Sequence, residues 1–397
     1  MRSDGGQARW HRWRSPQLRT AKEEPEDRHA TWLELVYDLV FVVAVAQLAH
    51  RLALHPDRRG VAAFAALFVP VWWAWTGQTF YANRFDADDV SARLLAGLQM
   101  LGVAVLAAAI PHALDSASTT FALAYVWVRA VLILQYVRAW IHVPAARPLT
   151  ARYATGFSFG SALWLGSLAL SAPGRHLVWV IALIVEVATP LLSRRYQASL
   201  PPQSSHLPER FGLFTIIVLG EGVASLVIGL EQAELQRDSI IVAVAGIVVL
   251  LGWWWVYFDN VESSVILRTA VAGQVWVYGH LPLVASLTAM AVGIEGLIVA
   301  SSSATEGLMP GRLSCGAFAA TALSIALLHA AQGDGSRVRM LLASAAAAST
   351  LALMAGAFGP ETIALLLATL AAIQVVLDIT LDRREARPPV VVEGEQA

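Results

Sequence analysis

Two long apolar stretches of the chain each begin with acidic residues, and this combination most constrains the fold. The first, Trp32 to Leu54, is WLELVYDLVFVVAVAQLAHRLAL, and the second, Pro208 to Leu230, is PERFGLFTIIVLGEGVASLVIGL. Each is long enough to cross a bilayer as a helix. A charge deep in a bilayer costs about 2.5 to 3.5 kcal/mol on insertion scales, so such side chains face protein or water. The pattern predicts a duplicated membrane protein with a polar interior.

Composition supports a membrane protein and excludes several other classes. Hydrophobic residues make up 57% of the 397 residues and charged residues 14%, and the mean hydropathy is +0.58. Because Lys22 is the only lysine, the chain has no GxxxxGK loop, and we expect no nucleotide-driven pumping. Cys315 is the only cysteine, and the histidines lack metal-site spacing. We therefore expect no enzyme activity, no cofactor, no metal and no nucleic-acid partner.

The apolar segments predict an all-α, polytopic transmembrane helical bundle of about twelve spans, each near 20 residues long. The polar segments 1–30 and 383–397 are predicted to be disordered cytoplasmic tails. The predicted spans are 32–54, 61–81, 93–113, 119–141, 154–172, 176–193, 211–230, 239–258, 274–300, 312–330, 337–357 and 361–381.

The distribution of basic residues predicts the orientation in the membrane. With the N-terminus in the cytoplasm, 21 of the 28 lysines and arginines lie on the cytoplasmic side and six lie in the outer loops. Short cytoplasmic loops collect positive charge. We therefore predict a multi-pass protein of the inner (cytoplasmic) membrane, embedded in the lipid bilayer, with both termini in the cytoplasm.

An internal repeat is predicted from corresponding residues in the two halves. Glu34 corresponds to Glu209 at an offset of 175, and Trp72-Trp73 corresponds to Trp253-Trp254 at an offset of 181. The predicted six-span repeats are 31–206 and 207–382. An even number of spans makes the repeats parallel, with a shared cavity between them. The alternative is that any two leucine- and valine-rich helices align.

Several long motifs carry a family resemblance. They are WLELVYDLVFVVAVAQLAH, WWAWTGQTFYANRFDADD, ERFGLFTIIVLGE, WWWVYFD and YGHLPLVASLTAMAVGIE. The chain resembles the bacterial low temperature requirement A family of integral membrane proteins from about Ala30 to Asp382. The resemblance implies a polytopic membrane protein linked by name to growth in the cold. Gly222 departs from the family pattern, which more often has a small hydroxyl residue there.

Charged residues at the cytoplasmic ends of the spans form a candidate gate. Glu34 and Asp38 are four residues apart and so share one helix face, although Glu34 could instead only cap its helix. The set could be a gate of salt bridges between the halves or a static lock. Its predicted members are Glu34, Asp38, Arg84, Asp86, Glu209, Arg210, Asp259 and Glu262, with Arg268 nearby.

Polar residues near the bilayer midplane form a candidate site for a proton or a substrate. Glu221 lies between two glycines in the seventh span, and the repeat places Gln47 at the equivalent position. His280 lies next to Pro282 in the ninth span, opposite Gln99 in the repeat. The alternatives are a neutral glutamate that joins helices and an incidental histidine at a proline kink. The tryptophan runs are most typical of an interfacial belt.

Two further features predict packing rather than transport. Arg129 and Glu186 are deep charges, and each needs a partner, so they are predicted to pair with each other. The GFSFG run from Gly156 to Gly160 favours close helix packing, although a GxxxG spacing alone is a weak signal.

The leading functional hypothesis is a proton- or ion-coupled secondary transporter of a small solute or ion. The alternative is a non-transporting membrane stress-response or interaction protein whose interior charges are structural. The sequence names neither the substrate nor the oligomeric state.

Overall fold

The computed structural model describes residues 15–19, 30–86, 89–200, 206–262, 270–302 and 307–385. These residues form an almost entirely helical protein, as predicted. Its thirteen α-helices are α1 (Trp32–Leu54), α2 (Arg58–Arg84), α3 (Val90–Ala109), α4 (Ser118–His142), α5 (Arg147–Gly166), α6 (Gly174–Leu192), α7 (Arg194–Ser199), α8 (His206–Gln232), α9 (Arg237–Tyr257), α10 (Ala270–Ser301), α11 (Leu308–Gln332), α12 (Gly335–Met354) and α13 (Pro360–Glu385).

Short capping motifs set where several helices begin and end. The side chains of Asp57, Asp89 and Asp334 each accept a hydrogen bond from a backbone N–H in the first turn of the following helix. Such N-caps satisfy backbone donors that the helix itself leaves unpaired. After α11, Gly333 adopts a φ of 88°, the left-handed conformation that ends a helix without a steric penalty for glycine.

Eleven of the described helices are long and apolar enough to cross a membrane. The predicted fifth span, 154–172, corresponds to α5, which is displaced toward the N-terminus and begins at Arg147. α5 is 20 residues long but is not among the eleven, because it contains two arginines and several glycine and hydroxyl residues. Leu177, Ile184 and Leu192 on α6 are 63%, 62% and 74% exposed, which fits a lipid-facing surface.

The helices divide into two compact units. Unit 1 comprises 1–221 with 269–274, and unit 2 comprises 222–268 with 275–397. In unit 1, α1 packs on α2 and α3, and successive helices pack from α3 to α6. In unit 2, α9 packs on α13, and α12 packs on α11 and α13. The division falls inside α8, whereas the predicted repeats divide at 206. A division into compact units does not compare the structures of the two halves. The parallel repeat therefore stays a prediction.

A two-residue strand, Gln17–Leu18, pairs antiparallel with Phe85–Asp86 at the end of α2. It lies in the segment predicted as the N-terminal tail. Apart from 15–19, Ala30 and 383–385, the predicted tails lie outside the described residues.

Glycines allow α5 and α6 to approach closely. A Cβ atom at Gly156 would lie 2.2 Å from the Thr189 hydroxyl oxygen, and one at Gly160 would lie 2.5 Å from Cγ of Glu186. Neither position has room for a larger residue. The close packing predicted from the GFSFG run is confirmed.

Candidate functional site

The first turn of α1 fixes the position of Glu34. Thr31 and Glu34 form a capping box, in which the Thr31 hydroxyl accepts from the Glu34 N–H and the Glu34 carboxylate accepts from the Thr31 N–H at 2.8 Å. This S/T-x-x-E arrangement satisfies two backbone donors. Glu34 therefore caps its own helix. Its side chain nevertheless contacts other helices as well.

Arg210 from the start of α8 joins both acidic residues of α1. Its Nη1 lies 3.2 Å from Oε1 of Glu34, and its Nη2 lies 2.5 Å from Oδ1 of Asp38. The two carboxylates can share one guanidinium because residues four apart lie on one helix face. Nη2 of Arg210 donates a hydrogen bond to Asp38, whereas its contact with Glu34 is an ion pair. All three side chains are at least 90% buried.

His206 lies one helical turn before Arg210 and extends the contacts to α2. Its Nε2 lies 3.3 Å from Oε2 of Glu34, and its Nδ1 lies 3.3 Å from Nδ2 of Asn83. In this orientation of the Asn83 amide, Nδ2 donates, so Nδ1 must accept. The proton of a neutral His206 then resides on Nε2 and is donated to Glu34. We call Glu34, Asp38, His206 and Arg210 the α1–α8 network.

Trp75 on α2 completes the surroundings of Asp38. Its indole Nε1 donates to Oδ1 of Asp38 at 2.7 Å, and its ring packs against Phe211 and Phe214 with centroid distances of 5.0 and 4.3 Å. Asp38 is fully buried, and its second oxygen, Oδ2, has no hydrogen-bond partner among the described residues. An unsatisfied buried oxygen is costly, because a carboxylate oxygen away from water normally accepts a hydrogen bond.

Arg129 and Glu186 form the second buried ion pair of unit 1, as predicted. Nε of Arg129 lies 2.8 Å from Oε2 of Glu186, and both side chains are fully buried. Tyr125 donates to the same carboxylate oxygen at 2.8 Å and accepts from the guanidinium at 2.8 and 3.0 Å. The Arg129 guanidinium also lies over the rings of Tyr125 and Phe157. This packing is that of a structural pair.

The remaining predicted gate residues do not join the α1–α8 network through the contacts described here. Glu209 accepts from the Ala30 N–H at 3.2 Å. Arg84 is buried, and its Nε donates to the Leu200 carbonyl at 3.4 Å. Asp259 is exposed. Three predicted members, the side chains of Asp86 and Glu262 and the whole of Arg268, lie outside the described part of the chain. The structure thus brings together Glu34, Asp38 and Arg210 from the predicted set.

The predicted midplane residues are not joined by described contacts. Glu221 and Gln47 are half-buried, and neither has a hydrogen-bond or ion-pair partner among the described residues. Gln99 is buried and donates to the Val128 carbonyl at 3.3 Å. His280 contacts the Tyr257 hydroxyl at 2.9 Å and the Trp276 carbonyl at 2.7 Å. A shared site for the four residues stays a prediction.

Unit 2 contains a charged cluster that the sequence did not predict. Arg337 at the start of α12 donates to Asp378 at 2.9 Å, to Asp334 at 2.8 Å and to Asp382 at a short contact. Asn260 donates to the second oxygen of Asp378 at 2.6 Å. Asp378 and Asp382 are four residues apart on α13, and this spacing could have indicated an acidic helix face that binds an arginine. The cluster fastens the ends of three helices together.

Asp334 lies between α11 and α12 and gives unit 2 a predicted acid sensitivity. Burial raises the pKa of Asp334, but hydrogen bonds from the side chain and backbone of Arg337 outweigh burial and hold the pKa below its usual value. A carboxyl whose pKa is lowered on folding stabilises the protein above its ordinary pKa of about 3.9. That contribution is lost as the pH falls through the folded-state pKa.

We expect Asp334→Asn to lower stability near neutral pH by up to about 1 kcal/mol, the scale of a partly exposed ion pair. The variant should also flatten the loss of stability below pH 4. Thermal unfolding between pH 3 and pH 7 measures both effects. Asp238→Asn, at an exposed position at the start of α9, is the matched control. An equal loss of stability at every pH would contradict the assignment.

Among the described residues, no group of three or more histidine, cysteine, aspartate or glutamate side chains is placed to hold a metal ion.

Comparison with known proteins agrees with the sequence motifs. Residues 29–377 match the family described as "Bacterial low temperature requirement A protein (LtrA)". The chain is also 31% identical, over 293 residues, to an uncharacterized protein of Rhizobium meliloti (strain 1021). That alignment covers 68% of this chain and 70% of the relative.

Proposed function

This chain belongs to the bacterial low temperature requirement A family, and we propose that it is a proton- or ion-coupled secondary transporter of the inner membrane. Its family and its eleven apolar helices make it a multi-pass membrane protein. The distribution of basic residues supports an orientation with both termini in the cytoplasm. On this proposal, the chain uses no cofactor and is not an enzyme.

The α1–α8 network carries the proposal. Arg210 is shared by two carboxylates, and Asp38 keeps one buried oxygen without a partner among the described residues. One proton gained or lost at Asp38 changes the charge balance of the whole network. Buried acids and histidines in membrane helices commonly serve as proton relays. In the proposed orientation the network lies near the cytoplasmic ends of α1 and α8, where protons can be exchanged with water.

Glu221 is proposed as a second proton-binding group farther along α8. It lies 12 residues beyond Glu209, or about 18 Å along a helix, and it has no partner among the described residues. A half-buried carboxyl in a membrane helix is suited to binding and releasing a proton. Gln47 and Gln99, which belong to the same compact unit as Glu221, are proposed to line the same midplane region.

The test is a flux screen in proteoliposomes that contain a trapped pH-sensitive dye. Small organic acids, amino acids, amines, Na⁺ and K⁺ are added one at a time, with and without a pH gradient. We expect the wild type to move protons with at least one of these solutes. Asp38→Asn should reduce that flux at least tenfold, because the amide cannot bind and release a proton at this position.

Matched controls separate coupling from folding. Asp238→Asn is an exposed control for Asp38→Asn, and Glu231→Gln, exposed on the same helix, is a control for Glu221→Gln. Each variant is first checked for monodispersity and thermal stability. Coupled flux that survives both Asp38→Asn and Glu221→Gln would exclude the proposed mechanism.

A non-transporting membrane stress-response or interaction protein is the second candidate function. The Arg129–Glu186 pair favours it, because a fully buried pair enclosed by Tyr125 and Phe157 has a structural arrangement. Absence of solute-dependent proton movement across the whole panel, from stably reconstituted wild type, would support this alternative.

A further inference from the structure

Four exposed arginines lie at one end of unit 1. The C-terminal end of α4 and the N-terminal end of α5 lie at this end of the unit. The C-terminal end of α6 lies there too, and α7 follows it directly in the chain. Gln197 on α7 donates to the Tyr153 hydroxyl at 2.7 Å and to the Pro190 carbonyl at 2.9 Å, so α7 is held against α5. The α5–α7 arginine patch consists of Arg147, Arg152, Arg194 and Arg195, all of them exposed.

Aromatic rings orient two of the patch arginines. The Arg147 guanidinium lies 5.7 Å from the Trp140 ring centroid, and that of Arg152 lies 5.1 Å from the Tyr196 ring centroid. Arg147 also donates from Nε to the Trp140 carbonyl at 3.1 Å and from Nη2 to the Ile141 carbonyl at 3.4 Å, so part of its N–H edge is occupied. Stacking on Tyr196 restrains the Arg152 guanidinium and leaves its N–H edge without a hydrogen-bond partner among the described residues. Trp140 and Tyr196 are also the residue types that favour the level of lipid headgroups.

No described acid neutralises the patch. None of its four arginines forms an ion pair within the described residues, whereas nearby Arg138 pairs with Asp89 at 2.8 Å. The sequence from Ser116 to Pro208 contains one acidic residue, Glu186, and Glu186 is paired with Arg129. A concentrated positive charge therefore stands on a chain whose formal net charge is −1.

We propose that the α5–α7 arginine patch binds the phosphate headgroup of an anionic glycerophospholipid at the bilayer surface. Guanidinium groups bind phosphate through paired, charge-assisted hydrogen bonds. The patch lies at the ends of α4 and α6, two helices long and apolar enough to cross a membrane, and the ends of such helices meet the lipid headgroups. Ile141 and Leu192, which are 52% and 74% exposed, offer apolar surface beside it for the acyl chains. The proposal does not depend on transport activity.

The test compares lipid binding by the purified full chain in native mass spectrometry and in thermal unfolding. The protein in detergent is titrated with phosphatidylglycerol, phosphatidylcholine or inorganic phosphate. We expect phosphatidylglycerol to be retained and to raise the Tm, with little effect of the other two. The Arg194→Gln/Arg195→Gln variant should bind phosphatidylglycerol on the order of tenfold more weakly.

The chain supplies a matched control. Arg58 and Arg59 are also adjacent and exposed, but they follow Asp57 at the start of α2. Arg58→Gln/Arg59→Gln removes the same charge and should leave phosphatidylglycerol binding unchanged. If the Arg194→Gln/Arg195→Gln protein does not fold, Arg152→Gln tests the same patch, with an expected loss of roughly fivefold.

Three results would overturn the proposal. Equal retention of phosphatidylcholine would show that the headgroup charge is not recognised. Equal losses in the patch variant and the Arg58/Arg59 control would show a general effect of net charge. Equal stabilisation by inorganic phosphate would show an anion site rather than a lipid site.

Discussion

Replacing Arg129 with methionine should destabilise the protein by about 3 to 5 kcal/mol. The change leaves the carboxylate of Glu186 without its cation at a fully buried position, and an uncompensated buried charge is strongly destabilising. The Tyr125 hydroxyl would also lose the guanidinium from which it accepts. Thermal or denaturant unfolding in a fixed detergent measures the loss.

A double-mutant cycle distinguishes a broken ion pair from lost packing. Arg129→Met combined with Glu186→Leu removes both charges, and apolar replacements of a whole buried pair are often close to neutral. The double variant should therefore regain most of the stability lost in Arg129→Met. Arg237→Met, at an exposed position at the start of α9, is the control and should change stability by less than about 0.5 kcal/mol. Additive losses in the double variant would contradict a direct pairing of Arg129 with Glu186.

This pair shows what the sequence could predict. A charge in the middle of an apolar segment needs a partner, and Arg129 and Glu186 were the two deep charges of the fourth and sixth spans. The need for a partner therefore predicts that Arg129 and Glu186 pair. The sequence does not predict the role of Tyr125, because a tyrosine in an apolar helix gives no sign of which neighbour its hydroxyl contacts. Gly160 was predicted to pack closely, but only the structure shows that Glu186 occupies the space beside it.

The α1–α8 network shows the limit of helical periodicity. The spacing of Glu34 and Asp38 predicted an acidic stripe, since residues four apart share a face. Periodicity does not tell which helix packs against that stripe, so Arg210 was grouped with the acids only by membrane depth. The predicted seventh span begins after His206, so the prediction does not include this residue. The spacing of four residues between His206 and Arg210 would have indicated that the two side chains share one helix face.

Hydropathy predicted the helix positions well and their ends less well. α5 begins at Arg147, earlier than the predicted 154, because a helix that packs on its neighbours can start with polar turns. The Arg337 cluster was missed for a related reason. Asp334 lies in a connection, whereas Arg337 and Asp378 lie in the predicted spans 337–357 and 361–381. Local sequence does not show that tertiary contacts bring these three side chains together.

Replacing Arg210 with methionine should have an effect as large as that of the Arg129 change, and one that depends on pH. Without the guanidinium, the carboxylates of Glu34 and Asp38 face each other as like charges at a buried position. We expect a loss of about 3 to 5 kcal/mol near neutral pH. Protonation removes the repulsion, so the loss should shrink as the pH is lowered.

A second substitution in the Arg210→Met background shows which of the two carboxylates Arg210 stabilises more. Asp38 is fully buried, whereas Glu34 keeps its capping contacts with Thr31. Asp38→Asn should therefore rescue the stability of Arg210→Met more than Glu34→Gln does, and removing the capping carboxylate should cost stability of its own. Unfolding curves for the three single and two double variants at pH 5 and pH 8 show which carboxylate depends more on Arg210. Equal rescue by both changes, or a defect of the same size at both pH values, would mean that Arg210 stabilises α8 by packing. In that case proton binding at Asp38 would lose its physical basis, because the charge balance of the network would not depend on Arg210.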